Sequence, residues 1–218
     1  MRYLFLSIIS LGLFISCAGY KVRHNTNPFA SQGVNSVAIP MFINKTSLPV
    51  VTAAYTKAIH EVLSNYPDLR VNSGELENED AVVLGVVKRV HDKEISFTGS
   101  TLMNNSQLSE IGDRNAFYLP TTGTYDLRVE LYILKRPTKE EIDFFVNYFK
   151  FSKSAFPRTI FSKTFGVSGS YNISNEIGDI DSAAPVRGTQ TRGNMVKALS
   201  DSSVALANEF REVLSNAY

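Results

Sequence analysis

From Tyr125 to Leu134 apolar and polar positions alternate. Tyr125, Leu127, Val129, Leu131 and Ile133 fall on one side; Asp126, Arg128 and Glu130 fall on the other. A period of two predicts a strand with one buried face, the other being wet or turned toward a polar partner. Ala81 to Val90 is almost unbroken in its apolar character and rich in valine, which predicts a central strand with Lys88 and Arg89 at its exit. Thr159 to Tyr171 reads as another strand, with Phe161, Phe165, Val167 and Tyr171 on one face. Val37 to Phe42 opens the series, placing Val37, Ile39 and Met41 together. Pro40 cannot donate to a ladder, so it marks an edge strand or a strand end. Leu69 to Val71 predicts a short strand, and Glu94 to Phe97 can extend the one before it.

Helical spacing appears in three places. Val51, Tyr55, Ala58, Ile59, Val62 and Leu63 form a stripe that predicts a helix over about Val50 to Asn65. Asn44 to Ser47 reads as the loop before it, with Ser47 as cap and Pro49 in the first turn. Met195, Val196, Leu199, Leu206, Phe210, Val213 and Leu214 predict a last helix over about Gly193 to Asn216. Between these, Thr138 and Glu141 have the spacing of a capping box. Ile142, Phe145, Val146 and Phe149 follow, predicting a short helix, although the aromatic density also allows a strand. The acidic stretch from Asn72 to Asp80, then His91 to Thr124 and Asn172 to Arg192, read as loops. A sheet and helices with one apolar side each pack as layers. The expected fold is α+β: a two-layer sandwich of a mostly antiparallel or mixed four- to five-stranded sheet, with two main helices packed on one face.

The amino terminus adds a different signal. Arg2 is followed by an apolar run of thirteen residues, Tyr3 to Ile15, then by Ser16 and Cys17, the single cysteine. Such a run fits a secretory signal and is too short to span a bilayer. A lone cysteine in an exported chain cannot pair within that chain. Leu13-Phe14-Ile15-Ser16-Cys17 resembles a bacterial lipobox, in which Cys17 becomes the first mature residue and carries diacylglycerol and an N-acyl chain; a plain signal peptide is the alternative. Ala18 stands where an aspartate would favour inner-membrane retention, so the expected address is the periplasmic face of the outer membrane. Residues 1–16 are then the signal, 17–35 a lipidated terminus and tether, and 36–218 a single domain. Cleavage removes Arg2 and leaves 21 basic against 21 acidic groups. A neutral total gives no footprint for nucleic acid.

Catalytic patterns are incomplete. His60-Glu61 begins a zinc-protease motif, but Ser64 occupies the place of its second histidine. Gly166-Val-Ser168-Gly169-Ser170 approaches a hydrolase elbow but lies inside a predicted strand. His24 and His91 are isolated, and Asp179 with Asp181 lacks the spacing of a calcium loop. The expectation is a protein that is not an enzyme and holds neither metal nor cofactor beyond the acyl groups on Cys17.

Taken in order, several short motifs resemble the LptE family of lipopolysaccharide-assembly lipoproteins. They are Cys17 with Gly19-Tyr20-Lys21-Val22-Arg23, then Val37-Ala38-Ile39-Pro40-Met41-Phe42-Ile43-Asn44-Lys45-Thr46, then Asp80 to Val87, Thr124 to Val129 and Gly169-Ser170-Tyr171. The resemblance implies a sandwich seated in the lumen of an LptD β-barrel, acting as plug and assembly partner in delivering lipopolysaccharide. It also implies basic contacts to the lipid's phosphates, for which Lys88, Arg89 and Arg114 are the candidates. The strand ending in Pro40-Met41-Phe42-Ile43-Asn44-Lys45-Thr46 also resembles curli-secretion and synthase-activator lipoproteins. That alternative implies a secretion-pore component or an activator of a cell-wall synthase.

Overall fold

The computed structural model describes residues 26–74, 78–91, 95–99, 120–148, 156–174 and 187–217. Its strands are β1 (Ser36–Ile39), β2 (Ile43–Lys45), β3 (Arg70–Ser73), β4 (Ala81–Arg89), β5 (Ile95–Thr98), β6 (Thr122–Lys135) and β7 (Thr159–Asn172). Its α-helices are α1 (Val51–Ser64), α2 (Lys139–Tyr148) and α3 (Arg187–Ala217). All seven strands join one mixed sheet. β1 runs parallel to β3 and β4, and β2 parallel to β4. β6 is antiparallel to β4, β5 and β7. β1 and β2 share one edge of β4, and β4 and β5 share one edge of β6, so the seven strands lie in five columns. The β1–β2 column breaks at Pro40, which follows the end of β1 rather than marking an edge.

One face of the sheet carries the main core. Every residue of the α1 stripe is buried. Tyr125, Leu127, Val129, Leu131 and Ile133 of β6 meet that stripe together with Leu199, Leu206, Phe210 and Leu214 of α3. The Phe210 ring stands edge-on to Phe161 and Phe165, with centroids 5.5 and 6.2 Å apart. A buried polar node ties the layers. The Tyr125 hydroxyl donates to Ser202 Oγ at 3.0 Å, Tyr55 Oη lies 2.9 Å from the same oxygen, and Ser202 donates to the Leu199 carbonyl at 2.9 Å. Burial pushes the Tyr55 phenol up to about 12 and raises Tyr125 as well, so both stay neutral. Two tyrosines need bare backbone across the ladder. Tyr125 pairs with Gly169 and Tyr171 with Gly123, and a Cβ on Gly169 would come within 2.2 Å of Tyr125 Oη.

The opposite face has its own core at one end only. Ala38, Val82, Leu84, Val86, Tyr132 and Leu134 pack there against Ile142 and Phe145 of α2 and against Phe156. The capping box forms as expected: Thr138 N donates to Glu141 Oε2 at 2.7 Å, and Glu141 N to Thr138 Oγ1 at 3.3 Å. α2 thus lies across the sheet from α1 and α3, which share the other face as expected.

Local expectations fail where side chains outside the pattern decide. Asn44 and Lys45 belong to β2, not to a loop. Asn44 Oδ1 accepts from Thr46 N at 2.9 Å and Asn44 Nδ2 donates to the Leu48 carbonyl at 3.0 Å, making the turn an Asx type. Ser47 does not cap α1. The N-cap is Val50, with φ of 66° and no side-chain bond. α3 is already helical at Arg187, where a loop to Arg192 was expected. Val196, assigned to its apolar stripe, is 36% exposed.

The segment 26–35, read as tether, is docked. Phe29 and Val34 are fully buried, and Asn27 Nδ2 donates to the Val34 carbonyl at 2.6 Å. Lys135 Nζ donates to the Gln32 carbonyl. Asp80 clamps this segment to the sheet. Its carboxylate accepts from Arg136 at 2.9 Å, Asn35 N at 3.1 Å and Ser36 Oγ at 3.4 Å. Arg136, followed by Asn35, holds the Asp80 pKa below its ordinary 3.8. The Ser36 hydroxyl, with Arg70 and Asn72, lowers that of buried Glu79.

Gly169→Ala lowers stability by about 1–3 kcal/mol, because buried Tyr125 cannot yield. Gly166→Ala, with open space around its Cβ, stays within about 0.5 kcal/mol; urea midpoints of the two variants measure the contrast. A carboxylate whose pKa is depressed by folding stabilises above its unfolded pKa, and that stability is lost as pH falls through the folded value. Asp80→Asn is therefore less stable than the parent at pH 7, and its stability falls less steeply below about pH 5; urea titrations across that range test it.

Candidate functional site

The face that carries α2 is covered at one end and bare at the other. Strand alternation sends even-numbered residues of β4, β6 and β7 to this face, where register aligns them. At the covered end they are Val82, Leu84, Tyr132 and Leu134. Beyond Tyr132 the composition changes. Asp126 and Arg128 on β6 and Ser162, Thr164, Gly166, Ser168 and Ser170 on β7 are all exposed, as are Ser96 and Thr98 on β5. Cross-strand partners Asp126 and Ser168, and Arg128 and Gly166, make a hydroxyl-rich surface with one charge of each sign. No described helix lies over it.

Glu130 marks the boundary. Its Oε2 accepts from Lys88 Nζ at 2.7 Å and from the Tyr132 hydroxyl at 3.0 Å. Burial raises the Tyr132 pKa, and the adjacent Glu130 carboxylate raises it further, so the phenol stays protonated as a donor. Next to this boundary a shallow groove of about 360 Å³ is lined by Val90, His91, Asp126, Leu127, Gly166, Val167 and Ser168. Ser168 lies mid-strand in β7, not on a strand-to-helix turn. No hydrogen bond joins the side chains of Ser168, His91 and Asp126 to one another. His60 Nδ1 lies 3.2 Å from Ser64 Oγ one helical turn on, so the residue in place of the second histidine is its hydrogen-bond partner.

The candidate cations do not converge. Lys88 is two-thirds buried and committed to Glu130. Arg89 is exposed at the end of β4 and, as the next residue, points to the other face. Arg114 and Cys17 lie outside the described residues, as do His24, Asp179 and Asp181. The sequence signalled the polar row of β6. It carried the β7 row too, as small polar residues between Phe161, Phe165 and Val167. What joins the two rows into one surface is the β6–β7 register, which no single strand encodes.

No family model matches this chain, and no curated protein matches it. Among solved structures, rare lipoprotein B from Shewanella oneidensis is similar at 6% identity and TM-score 0.36, covering 82% of this chain and 95% of that one. Lipoprotein GNA1162 from Neisseria meningitidis is similar at 10% identity and TM-score 0.31, covering 79% and 98%. The PelC dodecamer from Paraburkholderia phytofirmans is similar at 11% identity and TM-score 0.32, covering 78% and 88%. Likeness at this level carries no argument about function.

Lys88→Ala leaves Glu130 without its cation and costs about 1 kcal/mol, at the upper end for partly exposed pairs. Arg89→Ala, at an exposed strand end, stays within about 0.5 kcal/mol. Denaturant titration of the two variants distinguishes the structural cation from the available one.

Proposed function

We propose that this protein is an outer-membrane lipoprotein, held at the periplasmic face by acyl chains on Cys17, that seats in the lumen of an LptD-type β-barrel and assists lipopolysaccharide assembly. The lipobox-like residues before Cys17 and the ordered family-like motifs support the anchor and the partner. The observation that carries the reading is the bare half-face of β5, β6 and β7. Barrel lumens are polar, and a surface of serine and threonine hydroxyls with Asp126 and Arg128 can exchange hydrogen bonds with such a wall. Of the three candidate contacts to lipid phosphate, Arg89 keeps its guanidinium exposed, whereas Lys88 would first have to leave Glu130. The role proposed is positioning and plugging, with no catalytic step.

Photo-crosslinking tests this reading. A benzoylphenylalanine at position 128 or 168, irradiated in native membranes, is expected to yield one adduct with a large β-barrel protein. Affinity isolation should recover the same protein in equal amount. An adduct between two copies of this chain, or with a wall synthase, would replace the reading with the secretion-pore or activator alternative.

A further inference from the structure

The outer face of α2 carries two exposed aromatic rings among the polar side chains of Glu140, Asp143 and Asn147. Phe144 and Tyr148, one turn apart, are 42% and 63% exposed, and their ring centroids lie 4.8 Å apart. Phe156 supports Phe144 from beneath at 6.1 Å and is itself buried. The inner face of the helix, Ile142 and Phe145, already covers the sheet, so the outward rings are surplus to the fold. Among the described residues they are the one pair of exposed aromatic rings in contact.

Chain length says what lies beside them. Nine peptide links separate Cys17 from Thr26, so an extended leash reaches at most about 30 Å. β6 alone, with fourteen residues, is about 45 Å long. The leash joins the fold where segment 26–35 is docked, at the end of β6 marked by Asp80 and Lys135 and, through Phe29 and Val34, on the main-core face. Three residues separate the end of β6 from the start of α2, which therefore begins at that same end of the sheet. A tether shorter than the sheet holds this end toward the bilayer and lets the bare half-face point away.

We propose that Phe144 and Tyr148 rest in the interfacial layer of the same bilayer that holds the Cys17 acyl chains. This rests on the lipid anchor of the functional reading and not on the barrel. Tyr148, with an apolar ring and a hydroxyl tip, suits the headgroup level, and the Phe144 ring beside it adds apolar area below that level. The contact is apolar rather than electrostatic: Glu140 and Glu141 lie in the first turn of α2, and Glu141 is held by Arg158 at 2.7 Å. Zwitterionic lipid therefore suffices.

The chain contains no tryptophan, so one introduced indole reports alone. Phe144→Trp, Tyr148→Trp and, on exposed α3 across the sheet, Val204→Trp are made in the full acylated protein. Each is reconstituted into phosphatidylcholine vesicles with and without brominated chains. The expected result is a blue shift and loss of emission in brominated vesicles at positions 144 and 148, with emission at 204 retained. Protein that floats with the vesicles but is quenched no more at 144 and 148 than at 204 overturns the contact while leaving the anchor standing. Protein that fails to float removes the anchor and the contact with it. Thermal melts matching the parent establish that each variant is folded.

Discussion

β6 serves two different environments through one alternating strand. Its odd-numbered side chains from Tyr125 to Ile133 enter the main core, so the strand has one register that buries them. Its even-numbered side chains change character at Glu130: Tyr132 and Leu134 are dry beneath α2, while Asp126 and Arg128 remain in solvent. Because β4 and β5 line one edge and β7 the other, this change passes across the sheet and divides the second face into a covered and an open half. The Lys88–Glu130–Tyr132 cluster stands on that line and satisfies the carboxylate where apolar packing stops.

That division gives the molecule a polarity along the strands. The docked segment 26–35, the Asp80 clamp and the start of α2 lie at one end. The hydroxyl rows lie toward the other. A leash entering at the first end and a partner meeting the second are compatible without rearrangement, since neither uses surface the other needs. The main core on the opposite face is covered by α1 and α3, and its Tyr55–Ser202–Tyr125 node gives each of these three buried hydroxyls a partner.

Most elements were legible because their signal is periodic. The alternation of β6, the valine run of β4, the α1 stripe and the Thr138–Glu141 box each specify a local structure that packing then confirms. The misreadings share a cause: residues whose role depends on a distant contact. Asn44 reads as a loop former until β4 pairs with it, and Gln32 and Asn35 read as tether until Lys135 and Asp80 bind them. Ser47 looks like a cap, but Asn44 and Thr46 already order that turn and the chain enters α1 through Val50. The open half-face was visible only in pieces, because a surface across three strands depends on register, and register follows from burial on the other side.

On this reading the bare half-face is occupied in the native membrane. Ser168→Cys tests it most directly, since the one natural cysteine is acylated in this reading and the new thiol would be the sole free one. Membrane fragments and detergent-purified protein are treated with a bulky maleimide, and labelling is read by mass. An occupied face keeps the thiol protected in the membrane and leaves it fully modified once the protein is purified away from its partner. Equal modification in both would contradict it and return the hydroxyl rows to the status of a solvated sheet face.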